Sequence, residues 1–276
     1  MIKAFFQNKV AVISAIIIIL IGLLAVFVPI FSSGDAARQD LSSRLSAPGP
    51  GHILGTDELG RDVFTRLFTG TRVSLVIAII PTALAVIFGT VLGICGAYLG
   101  KIPDMFITWL VDVILAFPGM LIAMVIMYTF GGSMSSVVLS IVIMECGSIA
   151  RVVRSVTLSL LENEYITAAK TMGVGRAAII ARHILPNLAP TLIVLFTLNI
   201  PASILSESAL SFLGIGIQPP GVSLGLMVSQ SKSFLFQMPW LALIPSGMVM
   251  LLVLAFNYLG DALRDILDPK TRYEAH

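Results

Sequence analysis

Six long, almost uncharged apolar blocks decide what this chain can fold into. They cover approximately 10–31, 73–98, 105–130, 133–150, 188–213 and 240–259. A helix of about 20 apolar residues crosses the hydrocarbon core of a bilayer, and each block is near or above that length. The rest of the composition agrees. Hydrophobic residues make up 57% of the chain and charged residues 12%, against roughly 25% charged in soluble proteins. Mean hydropathy is +0.99. A soluble enzyme, a disordered protein and a nucleic-acid binder are excluded. The chain reads as an all-α integral membrane protein with six transmembrane helices. The first block follows Lys3 and Lys9, as a signal peptide would. It is too long for such a segment, and Pro29-Ile30-Phe31 is a poor cleavage site, so it reads as a retained span.

Lys and Arg counting sets the expected orientation. With the N-terminus inside, the inner segments hold Lys3, Lys9, Lys101, Arg151, Arg154, Lys170, Arg176, Arg182, Arg264, Lys270 and Arg272. The outer segments hold the smaller set Arg38, Arg44, Arg61, Arg66, Arg72 and Lys232. Both termini are therefore expected in the cytoplasm. Small residues and prolines inside the spans, such as Pro81, Gly89, Gly93, Pro118, Pro201 and Pro245, suit close helix approach and kinks.

Three polar segments interrupt the spans. On the outer side, Thr56 or Asp57 is placed to cap a short helix. Leu59, Val63 and Leu67 form an apolar stripe on it, with Arg61, Asp62, Thr65 and Arg66 opposite. The pattern fits an interfacial helix. Its amphipathicity favours a structural elbow entering the second span over contact with cargo. On the inner side, 151–190 offers two short helices at an angle. Ala168, Ala169 and Lys170 are strong helix formers, Gly173 and Gly175 supply a turn, and Ala177 to Ile184 form a second helix ended by Pro186. Small residues at 168 and 169 permit close docking against another protein. A loop of this length with its own helices is usually functional. In the tail, Arg264 is spaced to pair with Asp261 or Asp268, and Pro269 ends the last helix.

Asp112, Glu145 and Glu207 lie within spans. Intramembrane acids are costly and face a bundle interior or a wet cavity, so all three are candidates for the substrate path. Asp112 and Glu207 also suit helix packing or gating. For Glu145 two readings stand: it lines a path and favours a cationic group, or it pairs with Arg151, Arg154 or another subunit. His52, His183 and His276 are scattered and offer no metal site, and Met124, Met127 and Met144 read as packing residues. Cys95 and Cys146 fall inside apolar blocks, which argues against a disulfide framework. No Gly-x4-Gly-Lys-Ser/Thr run occurs, so the chain has no such loop for ATP.

Five blocks in order carry a resemblance. They are Gly-Thr-Asp-x-x-Gly-Arg-Asp at 55–62, Glu-Tyr-Ile-x-Ala-Ala-Lys at 164–170, Arg-His-Ile-Leu-Pro-Asn at 182–187, Ala-Leu-Ser-Phe-Leu-Gly at 209–214 and Gly-Asp-x-Leu-Arg-Asp-x-Leu-Asp-Pro at 260–269. Together they resemble the membrane subunits of ATP-binding-cassette importers, in particular the C-type permease of the oligopeptide, dipeptide and nickel branch. Two positions depart from the general importer signature: Thr167 stands where it has Glu, and His183 where it has Ile. The run from Glu145 to Arg151 also lacks the bulky aromatics the family often carries there.

The resemblance implies a type I importer permease fold that is not itself an enzyme. It implies an N-terminal helix with its outer amphipathic segment over 1–72 and a five-helix core over 73–276. Glu164, Tyr165, Thr167, Ala168, Ala169, Lys170, Gly173, His183 and Pro186 would couple to an ATPase, and Asp57, Arg61 and Asp62 would form the outer elbow. The implied partners are a second permease, two ATPase subunits that hold the ATP and Mg, an extracytoplasmic substrate-binding protein and the lipid of a bacterial or archaeal cell membrane. No nucleic acid and no metal or cofactor on this chain are implied. Peptides are the favoured cargo, on the 164–170 block and Gln218-Pro219-Pro220. A nickel or metal-chelate importer is the alternative, and a stand-alone channel or a membrane-embedded enzyme fits less well.

Overall fold

The computed structural model describes residues 2–31 and 36–267. Among the described residues the regular structure is helical, apart from two isolated β-bridges. A short helix α1 (Ile2–Gln7) leads into α2 (Lys9–Phe31), whose first N–H groups are capped by the side chain of Asn8. The long helices that follow are α3 (Val63–Tyr98), α4 (Lys101–Ala116), α5 (Gly119–Phe130) and α6 (Met134–Leu161). Two short helices, α7 (Glu164–Thr171) and α8 (Arg176–Ile179), precede α9 (Leu185–Phe212). Helix α10 (Leu224–Gln230) and the long α11 (Trp240–Leu267) complete the chain.

The helices differ in how much of their apolar surface the chain itself covers. In the most hydrophobic stretch of α6, 56% of residues are buried; in that of α2, 22% are. Helix α6 is thus the centre of the bundle. Helix α2 is peripheral, and Ile13, Ile16, Ile19, Leu20, Leu23 and Phe27 remain exposed on it, as suits a lipid-facing span. The tightest seam is α3 against α6. A Cβ on Gly89 would stand 2.7 Å from the Ile149 side chain, and one on Gly93 would stand 2.7 Å from the Ala150 carbonyl oxygen. Only glycine allows this approach.

Several expected boundaries move. The third span is two helices, α4 and α5, meeting at 87°. Pro118 has no N–H to continue the ladder, and it drives Phe117 into an extended conformation (φ −94°, ψ 140°). The second span begins ten residues early, because α3 runs unbroken from Val63. The boundary expected between 72 and 73 therefore falls inside a helix. The fourth span continues to Leu161, well past Ala150. Pro186 ends no helix. A π-helical turn over Ile180–Ile184, closed by the Leu185 N–H on the Ile180 carbonyl, carries the chain straight into α9. The wider turn loosens the backbone where a proline ring would clash with the carbonyl four residues back. Helix α11 runs to Leu267. Asp268 and Pro269, expected to pair with Arg264 and to end that helix, lie outside the described residues, as do Asp35, Lys270, Arg272 and His276.

Candidate coupling segment and polar sites in the membrane

At the end of the bundle where α3 finishes, α7 and α8 are fastened to the long helices by aliphatic side chains. Ile166 from α7, Ile179 from α8 and Ile184 from the π turn are fully buried in one cluster with Ile94, Ile149, Val153 and Leu188. The turn between α7 and α8 is made by Gly173. It adopts φ +79°, its N–H bonds the Lys170 carbonyl, and the N–H of Val174 bonds the Ala169 carbonyl. This helix-ending geometry satisfies carbonyls that α7 leaves open. A second, polar tie joins the expected coupling residues. The Tyr165 ring lies 6.1 Å from that of His183, and Asn187 donates to the His183 carbonyl (2.6 Å) and to the Tyr165 hydroxyl (3.5 Å). The Lys170 ammonium stands 5.7 Å from the centre of the Tyr98 ring.

The two alanines separate. Ala169, expected to face a partner, is buried one turn from Ile166 against the chain's own core. Residues three apart on a helix share a face, so both serve as anchors. Glu164, Tyr165, Thr167, Ala168, Lys170 and Met172 stay exposed and form the outward face of the segment. Pro186 is exposed in the first turn of α9.

The three intramembrane acids have three different settings. Glu207 is completely buried on α9. One carboxylate oxygen accepts from Ser211 (2.7 Å) and the other from Ser74 of α3 (3.1 Å), and Ser74 in turn accepts from the Leu224 N–H that opens α10. Glu207 thus ties α3, α9 and α10 together. Glu145 is also buried. Ser203 of α9 donates to its Oε1 (2.5 Å), and Ser203 shares a hydrogen bond with Thr82 of α3 (2.7 Å). Its Oε2 has no partner among the described residues. Glu145 was expected to line a path or to pair with Arg151, Arg154 or another subunit. Instead it is enclosed in the α3–α6–α9 seam, and both arginines are engaged elsewhere.

Arg154 forms a fork with Asp104 of α4, with bonds of 2.6 and 2.7 Å. Arg151 makes one bond, from Nη2 to Oδ1 of Asp112 (2.8 Å). The Asp112 pair is on the open surface, with side chains 58% and 61% exposed, against 29% and 31% for the Asp104 pair. Asp112, unlike the buried Glu145 and Glu207, is well exposed and borders an open cavity. That cavity has a volume of about 220 Å³ and is bordered by Gly93, Thr108, Asp112, Arg151 and Arg154.

At the opposite end of the bundle, the 55–62 block is a tight loop and not a separate helix. Thr56 and Asp62 form a β-bridge, and Asp57 accepts from the N–H groups of Leu59 and Arg61. Asp62 caps the helix, accepting from the Thr65 N–H at 2.8 Å, so neither Thr56 nor Asp57 serves as the cap. The side chains expected to face water are inside. Arg66 is 2% exposed, and Arg61 and Thr65 are buried as well. Asp57 Oδ2 receives Arg61 Nε (2.7 Å) and Arg66 Nε (3.2 Å), while Gln230 of α10 accepts from both arginines. Arg66 also donates to the Ala36 carbonyl (3.1 Å). This elbow is a buried charged knot joining the loop to α3 and α10. Nearby, Asp40 accepts from the hydroxyls of Ser42 and Ser43 and the Ser42 N–H, which hold its carboxyl below the ordinary value.

Sequence reasoning missed Thr82, Ser203, Ser74, Gln230, Tyr98 and Asp104. Only their distance in sequence from their partners hid them. Among the described residues no group of three His, Cys, Asp or Glu side chains is arranged to hold a metal.

Comparison with known proteins gives a consistent result. Residues 85–273 match the profile of a family described as the binding-protein-dependent transport system inner membrane component. Residues 1–48 match that of the N-terminal TM domain of oligopeptide transport permease C. A dipeptide transport system permease protein from Alkalihalophilus pseudofirmus is 42% identical over 96% of this chain and 88% of its own length. A glutathione transport system permease protein from Pectobacterium atrosepticum is 38% identical over 98% and 90%, and an oligopeptide transport system permease protein from Bacillus subtilis 34% over 97% and 88%. Among solved structures, an inward-facing MetNI methionine ABC transporter chain superposes with a TM-score of 0.60. It covers 74% of this chain and 96% of its own, at 17% identity.

Proposed function

We propose, from the premise that this chain belongs to the family of binding-protein-dependent transport system inner membrane components, that it forms half of the membrane path of an importer for short peptides. It is a multi-pass inner membrane permease subunit of an ATP-binding-cassette transporter, a transport component rather than the ATPase. The dipeptide, oligopeptide and glutathione permeases among its relatives support a peptide cargo over a metal chelate. The remaining partners are a second permease, two ATPases that hold ATP and Mg, and an extracytoplasmic binding protein.

The observation that carries the coupling role is the mounting of α7. Its inward face is locked by Ile166 and Ala169, while Thr167, Ala168 and Lys170 are presented outward at the end of the long helices α3, α6 and α9. A push on that outward face is transmitted as rigid-body motion, since a buried aliphatic cluster is close-packed and does not deform freely. The ATPases dock there, which places this end and both termini in the cytoplasm and the Asp57–Arg66 knot outside. ATP-driven closure of the ATPases moves the two permeases between inward-open and outward-open states. The five-helix core is then driven by residues 164–184, and residues up to the elbow hold the first helix to it.

The test is affinity isolation of the chain from its native membrane in mild detergent. The expected result is co-isolation of a second six-span protein and two ATPases. Ala168→Glu should keep the second permease and lose the ATPases. A chain that comes down alone in several mild detergents would refute the assignment of α7.

A further inference from the structure

The Asp112–Arg151 pair is built differently from every other charged contact in the bundle described above. The Asp104–Arg154 fork uses both carboxylate oxygens and two guanidinium nitrogens, and the Arg66 knot is buried. Arg151 uses a single donor on a single oxygen of Asp112, and both side chains are more than half exposed. A guanidinium has five N–H donors and a carboxylate two oxygens. Each partner therefore keeps a free end, and both residues border the same cavity of about 220 Å³.

The surroundings exclude a surface ion pair in water. Asp112 lies within the third apolar block, and Met105, Phe106, Trp109 and Val113 of α4 are exposed as well. A charge pair among such residues faces a wet cavity or protein, not lipid. Beyond Lys9 at its start, the exposed residues of α2 are apolar by contrast. A path that runs beside this chain would find its charged lining on the α4–α6 face.

We propose that this pair is a cargo station that takes the carboxyl-terminal residue of a passing peptide, a reading that rests on the peptide function proposed above. The free α-carboxylate binds the unused guanidinium donors of Arg151 in the two-point geometry that Arg favours. Asp112 holds the guanidinium in place, and its second oxygen is available to the ammonium of a short peptide. Thr108 supplies a hydroxyl at the cavity border. The cavity's volume suits one terminal residue, so the station reads the charge of the terminus and not the side chains beyond it.

The experiment uses proteoliposomes carrying the complete importer and compares uptake of dialanine with uptake of dialanine amide. Each variant is expressed as a ratio to wild type for the same peptide, so the preference of the binding protein cancels. Arg151→Gln is expected to lower uptake of the free acid about tenfold and that of the amide less than about twofold, the loss expected for one charge-assisted contact. Arg151→Lys should recover much of the acid uptake. A second readout bypasses the binding protein. In the purified complex of permeases and ATPases lacking Cys95 and Cys146, Thr108→Cys should be protected from maleimide by dialanine and not by its amide. Equal losses for both peptides, no loss, or equal protection would overturn the station and leave the peptide reading intact. A wild-type importer that moves neither peptide would overturn both.

Discussion

The two ends of the bundle are held by opposite chemistry. At one end, Arg61, Arg66, Asp57 and Gln230 form a buried polar knot in which each charge depends on the others. At the other, Ile166, Ile179, Ile184 and Leu188 form an aliphatic cluster beneath an exposed helix face. Directional contacts fix geometry but fail abruptly when one member is lost, because the remaining charge is stranded. Aliphatic packing is tolerant of substitution and degrades by degrees. The knot suits an anchor that should not move. The cluster suits the lever that the proposed coupling role requires.

Substitutions break this comparison in order of size. Arg66→Ala should have the largest effect, a loss of about 3–5 kcal/mol, because it removes a fully buried side chain, takes one of two guanidiniums off Asp57 and leaves the Ala36 carbonyl without its donor. It would be seen as a lowered melting temperature of the detergent-solubilised chain. A loss under about 1 kcal/mol would show that the knot is wet and replaceable. Ile166→Ala should cost about 2–4 kcal/mol. Its effect is local: protease cleavage and amide exchange should rise across 162–184 and stay unchanged around 55–66. Asp62→Ala should cost about 1 kcal/mol, the value of a helix N-cap, and loosen only the first turn of α3. Equal loosening at both ends in any of these variants would show that the two ends unfold as one unit.

Much of the architecture was legible in the sequence, since hydrophobic block length alone implies spans. The short helix α7 was legible too, from the helix formers at 168–170 and the turn at Gly173. What was not legible was direction. The same four residues, Thr167, Ala168, Ala169 and Lys170, are all small or polar, and composition does not say which one is buried. The elbow was misread for a similar reason. Arg61 and Arg66 were expected in water because charges usually are, whereas Asp57 and Gln230 compensate them inside. Gln230 is more than 160 residues away in the chain. Glu145 was expected to line a path or to pair with an arginine or another subunit, and within this chain its partner is a serine on another helix.

The sequence by itself determined that the chain crosses a membrane, how many apolar blocks it has, where its polar segments fall and which family its motifs resemble. Those properties are local sums of hydropathy, propensity and motif spacing. Only the tertiary structure decided that the third span breaks at Pro118, that Ala169 faces inward, and that Asp112 meets Arg151 at an open cavity while Glu145 and Glu207 are buried beside hydroxyls of other helices. Whether a buried charge is a tie or a site depends on which distant residues satisfy its hydrogen bonds. That is a property of packing between helices, which no single segment carries.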